Sequence, residues 1–169
     1  MSEAMHKSLY VPELEKDACG IGLIANLNNL SSHKIVHDAL STLESMEHRG
    51  ASGYEANTGD GAGILIQIPH DYLSIKCGEQ GFDLPDRGKY GMSMTFLPKD
   101  PEQRQFCEEA FIKVAHSFDF KHIGTRKVPT DNSDLGGSAK KTEPDIVQFF
   151  ISPKQDITCL LYTSPSPRD

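Results

Sequence analysis

The sequence KDACGIG, residues 16–22, opens the first apolar run of the chain. Its cysteine, Cys19, begins a stretch of small and aliphatic residues that predicts a buried strand over residues 19–27. Gly20 and Gly22 would let another backbone or a substrate come close to that strand. A cysteine in such a place is usually an inert, small hydrophobic residue. The rest of the chain therefore has to show whether Cys19 carries any chemistry.

The composition is that of a globular domain in a reducing compartment. The chain has 169 residues, 37% of them apolar, which suffices for one core. A formal net charge of -7 without a basic cluster argues against nucleic acid as a partner. Residues 1–18 are too polar for a signal peptide, and no segment is long enough to span a membrane, so we expect a cytoplasmic protein. The four cysteines are widely spaced in the sequence, at Cys19, Cys77, Cys107 and Cys159. Zinc sites and disulfide scaffolds have closely paired cysteines, so this spacing argues against both.

Helical and extended patterns alternate along the chain and predict an α+β fold. Predicted helices begin after Ser31 or Ser32, at His70 and after Asp100. The third helix has an apolar stripe of Phe106, Ala110, Phe111, Val114 and Phe118. Further strands are predicted at residues 64–68, 91–96, 123–128 and 145–151. In the strand at 91–96, Met92, Met94 and Phe96 are predicted to form the buried face. The five glycines in residues 49–63 predict a loop whose backbone has positive φ angles or closely approaches another part of the molecule. The polar composition of residues 129–142 predicts a second loop.

Three motifs invite functional interpretations that their spacing does not support. The run Gly59–Gly63 precedes a predicted strand, whereas a dinucleotide-binding fingerprint follows one. His33 and His37 share a helix face without a third metal ligand, so we interpret them as solvated. Asp131–Asp134 lacks the glycine and glutamate of a calcium-binding loop and is interpreted as a polar turn.

Cys77 and Cys107 have no activating base nearby in the sequence and are interpreted as structural.

Cys19 has a different possible source of a base. No histidine or carboxylate can be assigned to it from spacing alone. If the chain were cut after Ala18, the free α-amino group of Cys19 could take the proton from its own thiol. The two groups have ordinary pKa values of about 7.7 to 8.0 and about 8.5, so this proton exchange is nearly balanced.

Several blocks of the sequence together resemble a known family. They are DACG at 17–20, EHRGA at 47–51, NTGDGAGI at 57–64, VPTDNS at 128–133 and TEP at 142–144. In this order they resemble the amino-terminal glutaminase domain of the glutamate synthases, within the class II glutamine amidotransferases. The tripeptide His48-Arg49-Gly50 is shared across the class, and the blocks at 57–64 and 129–133 point to the glutamate synthases.

The resemblance implies a fold and a domain organisation. The fold would be the N-terminal-nucleophile hydrolase αββα sandwich of antiparallel sheets, incomplete at its C-terminal end. Residues 1–18 would be a propeptide, and residues 19–158 a partial glutamine amidotransferase domain. Residues 159–169 break the preceding pattern and resemble translated adapter sequence, so we interpret them as a non-native tail.

The same resemblance implies a reaction. The Cys19 thiolate would attack the side-chain amide of L-glutamine, forming a γ-glutamyl thioester and ammonia. Arg49, the second catalytic candidate, would lie close to the nucleophile and would orient its loop or hold local negative charge. The alternative is a structural arginine that donates hydrogen bonds to carbonyls of the glycine-rich loop. In the complete enzyme the ammonia would aminate 2-oxoglutarate. The residues of the oxyanion hole and those that bind the ends of the substrate are expected beyond residue 153, so substrate-binding residues are unassigned.

Cofactors and partners follow from the resemblance as well. No cofactor or metal site is expected in this fragment, whereas FMN and an iron-sulfur cluster are expected in the full-length protein. Expected partners are L-glutamine, the missing C-terminal synthase domains and a small NAD(P)H-oxidising subunit. Two alternatives stay open, namely another class II amidotransferase that donates ammonia to a different acceptor, and a non-catalytic fragment.

Overall fold

The computed structural model describes residues 20–28, 30–50, 55, 59 and 61–155, except for the side chain of Arg49. The chain divides into two compact units, residues 1–65 and 66–169, and each is described by itself. No helix within the described ranges has both the length and the apolar character needed to cross a membrane.

The first unit is built on helix α1, His33–Ser45. Ser32 is its N-cap residue, with the extended backbone that an N-cap requires, which confirms the predicted start of the helix. A single 3-10 turn, Glu47–Arg49, follows and ends at Gly50. Helix α1 itself therefore ends at Ser45, five residues before Gly50.

Gly20 and Gly22 lie against α1. A Cβ atom added to Gly20 would be 2.8 Å from Sδ of Met46, and one added to Gly22 would be 2.7 Å from Cγ2 of Thr42. The Thr42 contact leaves no room for a side chain at Gly22, whereas the atom that Gly20 approaches lies at the far end of the flexible Met46 side chain. The approach predicted at these glycines was to another backbone or a substrate, whereas the observed contacts are with the side chains of Thr42 in α1 and of Met46 at its C-cap.

Two predicted strands are absent from the described residues. Residues 20–26 and 61–69 have no regular secondary structure, and their apolar side chains are largely exposed, with Ile21 at 94% and Leu65 at 101% of full exposure. The predictions of a buried strand at 19–27 and of a strand at 64–68 are therefore wrong for the described positions. A strand is stabilised by pairing with a neighbour, and none of the described strands pairs with either segment.

The second unit contains the only sheet among the described residues. Its elements in chain order are α2 (His70–Gly78), β1 (Gly91–Leu97), α3 (Pro101–Ser117), β2 (Phe120–Lys127), α4 (Gly137–Thr142) and β3 (Asp145–Pro153). Strand β3 lies between β1 and β2 and is antiparallel to both. The predictions of two helices and three strands in this region are confirmed, whereas the predicted loop over residues 129–142 contains the short helix α4.

The two faces of the sheet carry separate cores. On one face, Phe150 packs with Leu73 and Cys77 of α2 and with Tyr90. On the other, Phe149 packs with Val147 and Leu97, under Cys107 and Phe111 of α3. Successive side chains of a strand point to opposite faces, so adjacent phenylalanines of β3 serve both cores.

The buried faces of β1 and α3 differ from those predicted. Met92 of β1 packs against the core around Phe150, as predicted, whereas Met94 and Phe96 on the same face are 45% and 64% exposed. Leu97 on the opposite face is buried. In α3 the side chains that approach the sheet are Cys107, Phe111 and Ala115, whereas Phe106, Val114 and Phe118 are exposed. Phe111 of the predicted stripe packs on the sheet as predicted, and the other buried positions of α3 lie one residue after predicted ones. The reason is that α3 has apolar residues on two sides and periodicity alone does not select one.

The described residues show a mixed helix and antiparallel-sheet structure, in agreement with the α+β prediction. They contain one three-stranded sheet, so the αββα sandwich stays a prediction.

A cluster of charges that the sequence did not predict ties α3 to the sheet. Asp145, at the start of β3, accepts hydrogen bonds from Arg104 of α3 at 2.5 Å and from Lys127 of β2 at 3.0 Å. Its side chain is only 15% exposed. The hydrogen bond from Lys127, and then that from Arg104, hold the pKa of the Asp145 carboxyl below its usual value. Folding is therefore favoured by the ionised form of Asp145.

We expect Gly124→Ala to destabilise the chain. A Cβ atom at Gly124 in β2 would lie 2.6 Å from two ring atoms of Phe82, whose ring packs against Phe150. Overpacking of this kind typically costs about 1–3 kcal/mol of unfolding free energy. Urea unfolding of the 169-residue chain measures the effect. Gly78→Ala is the matched control, because a Cβ atom there meets nothing within 4 Å, and equal midpoints for the two variants would contradict the prediction.

We expect Asp145→Asn to lower the unfolding midpoint near neutral pH and to lose this effect in acid. A carboxyl with a lowered pKa in the folded state contributes stability above its unfolded pKa of about 3.9, and this stability is lost as the pH falls through the folded pKa. Urea midpoints of both proteins across the acid range test this. Asp71→Asn is the control, because the Asp71 side chain is 84% exposed. A difference from wild type that persists unchanged in acid would disprove the assignment.

Candidate functional site

The candidate nucleophile, Cys19, lies outside the described residues, but its neighbour Gly20 is described. Gly20 lies against Met46, the C-cap residue of α1. Met46 immediately precedes the 3-10 turn that contains Arg49. Gly20, the residue after Cys19, therefore lies against the C-terminal end of α1, where the 3-10 turn that contains Arg49 begins.

The 3-10 turn is fixed by local hydrogen bonds. The backbone N–H of Gly50 donates to the carbonyl oxygen of Glu47 at 3.0 Å, and Nδ1 of His48 lies 3.0 Å from the carbonyl oxygen of Ser45. A carbonyl oxygen only accepts, so His48 donates from Nδ1. His48 therefore caps the end of α1, while the side chain of Arg49 lies outside the description.

The described glycines of the 49–63 segment do not have the geometry predicted for them. Gly50 has an extended backbone, with φ of -87°, and Cβ atoms added to Gly61 and Gly63 would meet no atom within 4 Å. Positive φ angles occur instead at Gly81 and Gly88, in the loop after α2. Neither a positive φ nor a close approach is therefore observed at Gly61 or Gly63, whereas a Cβ atom at Gly50 would lie 3.4 Å from the carbonyl oxygen of Glu47.

The structural interpretation of Cys77 and Cys107 is confirmed. Cys77 is fully buried beside Leu73 and Phe150, and burial raises the pKa of its thiol, although Arg126 partly opposes this. Cys107 packs against the core on the other face of the sheet. A nucleophilic cysteine needs an accessible thiolate, so Cys77 does not meet the requirement.

The polar motifs of the sequence form ordinary surface structure. His33 and His37 are exposed on α1. Asp131 accepts a hydrogen bond from the backbone N–H of Ser133 at 3.0 Å, and hydrogen bonding to Ser133 lowers the pKa of the Asp131 carboxyl. The interpretation of this segment as a polar turn is confirmed. Among the residues described, no group of three or more histidine, cysteine, aspartate or glutamate side chains could hold a metal ion.

A pocket in the second unit was not predicted from the sequence. Its volume is about 180 Å³, and its lining includes His70, Arg87 and Tyr90. The Tyr90 hydroxyl lies 3.1 Å from Nδ1 of His70, at hydrogen-bond distance, and burial raises the pKa of the Tyr90 hydroxyl. Pockets for drug-sized ligands usually measure about 300–1,000 Å³, and this one is smaller.

A buried arginine on the sheet was also missed. Arg126 of β2 is 6% exposed, donates to Oε1 of Gln148 at 2.8 Å and lies with Cζ 6.0 Å from the ring centre of Tyr72. It lies on the same face as Met94 and Phe96, since its pairing partner Gln148 also faces Met94. No pattern in the sequence distinguishes it from an exposed strand arginine.

Comparison with known proteins extends these observations. Residues 19–162 match the family described as class-II glutamine amidotransferases. The chain is 39% identical over 155 residues to "Glutamate synthase [NADH]" of Saccharomyces cerevisiae, covering 89% of this chain and 7% of the yeast protein. It is 41% identical over 137 residues to "Ferredoxin-dependent glutamate synthase, chloroplastic" of Spinacia oleracea, covering 81% and 8%. It is 36% identical over 151 residues to "Glutamate synthase [NADPH] large chain" of Bacillus subtilis, covering 89% and 10%.

The chain therefore spans a tenth or less of the length of these relatives. The resemblance inferred from the sequence blocks is confirmed, and the family match begins at Cys19 itself. On this evidence the chain belongs to the class II glutamine amidotransferases.

Proposed function

We propose that this chain is the glutaminase portion of a glutamate synthase, with Cys19 as its nucleophile. The observation that carries the proposal is a family match that starts at Cys19, together with 36–41% identity to glutamate synthases over most of the chain. In the proposed mature enzyme, residues 1–18 have been removed and Cys19 is the first residue.

The chemistry of the nucleophile needs only the terminal residue. The α-amino group of Cys19 accepts the thiol proton, and the thiolate attacks the side-chain carbonyl carbon of L-glutamine. The C–N bond of the amide breaks as a γ-glutamyl thioester forms, and the nitrogen leaves as ammonia after taking up the proton. Water then attacks the thioester and releases glutamate and the free thiol.

Arg49 is proposed as a positioning residue for this nucleophile. The contact between Gly20 and Met46 supports the proposal, because it brings the segment after Cys19 to the helix end that precedes the turn of Arg49. A guanidinium group offers five N–H donors in a rigid fork and keeps its charge at any physiological pH. It would hold the loop of the nucleophile through several hydrogen bonds at once.

The activity of the whole protein is part of the proposal. Ammonia released at Cys19 would aminate 2-oxoglutarate in the missing synthase domains, with FMN and an iron-sulfur cluster in those domains and a small NAD(P)H-oxidising subunit as possible electron donor. The described residues do not fit an iron-sulfur cluster, because Cys77 and Cys107 belong to cores on opposite faces of the sheet. The residues that bind glutamine are proposed to lie in the missing part of the domain.

The remaining expectations stand as proposals with some support. A second sheet, as in an αββα sandwich, would cover the exposed end of the β1 face that bears Met94 and Phe96. The proposed domain is 19–158, with 159–169 as a non-native tail, and the family match reaches residue 162. A cytoplasmic location is also proposed, although the relative from Spinacia oleracea is named chloroplastic.

We expect Cys19→Ala to abolish glutamine hydrolysis in the protein expressed from the complete reading frame. The wild-type protein should show Cys19 as its N-terminal residue by mass spectrometry. It should also be labelled there by a glutamine analogue that carries an electrophilic carbon in place of the amide. Cys107→Ala is the control, since Cys107 packs in a core, and it should keep the labelling. An active protein that retains Met1 would contradict the proposal.

The product of this protein separates the alternatives. Incorporation of the amide nitrogen of glutamine into 2-oxoglutarate supports the glutamate synthase assignment. Transfer of that nitrogen to a sugar phosphate or to aspartate would instead show another class II amidotransferase. Failure to hydrolyse glutamine at all would favour the non-catalytic alternative.

We expect Arg49→Lys to lower kcat/KM for glutamine by roughly tenfold or more, because lysine keeps the charge but loses the fork of donors. Removal of residues 1–18 and the unfolding midpoint should stay at their wild-type values. Arg87→Lys is the matched control, since Arg87 forms an exposed surface pair with Asp71. If activity and unfolding midpoint fell together in Arg49→Lys, the arginine would be structural, and the positioning role would be disproved.

A further inference from the structure

Thr42 makes the less yielding of the two contacts between α1 and the segment that follows Cys19. A Cβ atom on Gly22 would lie 2.7 Å from Cγ2 of Thr42. The nearest atoms of the other neighbour, Met46, are Sδ at Gly20 and Cε at Gly22, both near the free end of a side chain with several rotatable bonds. The methyl group of a threonine is bonded directly to Cβ and has far less freedom. Thr42 therefore limits how closely the segment approaches the helix.

A hydrogen bond fixes the direction of the Thr42 methyl group. The Thr42 hydroxyl donates to the carbonyl oxygen of Asp38, one turn earlier, with Oγ1 2.8 Å from that oxygen. Threonine in a helix divides between two χ1 rotamers, and a bond of this kind from the hydroxyl to a preceding carbonyl selects one of them. With the hydroxyl held, the methyl group has a single direction, which is toward Gly22.

The segment held in this way leads directly to the candidate nucleophile. Gly22 is three residues after Cys19, and residues 20–26 have no regular secondary structure. The position of residues 20–22 therefore depends on packing contacts such as the one with Thr42. A nucleophile has to lie at the right distance from the carbon that it attacks, and a misplacement of about 1 Å is enough to lower a rate by roughly 100-fold.

We propose that Thr42 is a positioning residue for the nucleophile. Its methyl group sets the distance of residues 20–22 from α1, and through them the position of Cys19 relative to the glutamine amide. The proposal rests on the proposed function, because it takes Cys19 as the nucleophile. It requires no contact between Thr42 and glutamine, so we expect substitutions of Thr42 to lower kcat and to leave KM unchanged.

Thr42→Ser in the protein from the complete reading frame tests the role of the methyl group. Serine keeps the hydroxyl for the bond to Asp38 and removes only the methyl group. We expect kcat for glutamine hydrolysis to fall severalfold at unchanged KM. The value of kcat is taken per Cys19 that an electrophilic glutamine analogue labels at completion, and mass spectrometry verifies Cys19 as the first residue, so that unfolded or unprocessed protein does not count.

Thr142→Ser is the matched control. Thr142 of α4 makes the same type of contact, with Oγ1 3.4 Å from the carbonyl oxygen of Ser138, and it is exposed. This variant should keep the wild-type kcat. Unchanged kcat in Thr42→Ser would overturn the proposal. An equal fall in both variants would overturn it too, because the effect would then not depend on the contact with Gly22.

A compensating pair tests the contact itself. Gly22→Ala should lower kcat by roughly tenfold or more, because the new Cβ atom overlaps the Thr42 methyl group. In Gly22→Ala/Thr42→Ser the methyl group is gone, and the nearest remaining atom of residue 42 would be its Cβ, at an ordinary contact distance of 3.9 Å. The double variant should therefore regain much of the kcat that Gly22→Ala loses.

Independent effects of the two substitutions would multiply, so a double variant with a kcat at or below that of Gly22→Ala would disprove the positioning role. If Gly22→Ala does not fold, as urea unfolding would show, Thr42→Ser and its control decide the matter. The proposed function fails in a different way. Wild-type protein that does not hydrolyse glutamine would overturn the function and the role of Thr42 together, whereas active wild-type protein with unchanged kcat in Thr42→Ser would overturn only the latter.

Discussion

The structure of the second unit depends on the burial of two adjacent phenylalanines in its central strand. Phe149 and Phe150 of β3 are 1% and 0% exposed, and they point to opposite faces of the sheet. Each is the centre of one core, the first beneath α3 and the second beneath α2. Because β3 is hydrogen-bonded to both β1 and β2, one strand sets the position of the other two strands and of both helices.

A comparable constraint operates in the first unit through the absence of side chains. A Cβ atom at Gly20 would lie 2.8 Å from Sδ of Met46, and one at Gly22 would lie 2.7 Å from Cγ2 of Thr42. The segment that follows the candidate nucleophile therefore lies against the end of α1, and the Thr42 contact excludes a side chain at Gly22. This contact gives a physical reason for glycine at position 22, the third residue after Cys19, and it is compatible with a place near a proposed catalytic residue.

Exposed apolar surface is the other consistent feature of the described residues. It occurs on β1 at Met94 and Phe96, on the outer side of α3, and along residues 20–27 and 61–66. The residues at these positions are apolar, as is typical of buried elements, but their side chains are exposed. The two facts are reconciled if the chain is a small part of a longer protein, as the 7–10% coverage of its relatives indicates. Hydrophobic periodicity records what a residue is selected to contact in the complete protein, including contacts that a fragment does not make.

The sequence by itself determined the family, the α+β class and the approximate bounds of most regular elements in residues 31–153. Local signals sufficed for these, such as the N-cap at Ser32, the proline and capping aspartate that begin α3, and the alternation in β1. The sequence also selected Cys19 and Arg49 as candidates through the family motifs, although both side chains lie outside the described residues.

Only the tertiary structure decided which faces are buried and which charges meet. The outer stripe of α3 and its inner stripe are equally apolar in sequence, and the choice between them depends on the position of the sheet. The pairing of Asp145 with Arg104, and the burial of Arg126 against Gln148, join residues 22 to 41 positions apart. Such contacts are fixed by strand register and helix packing, which depend on the whole chain, and a local pattern carries no information about them.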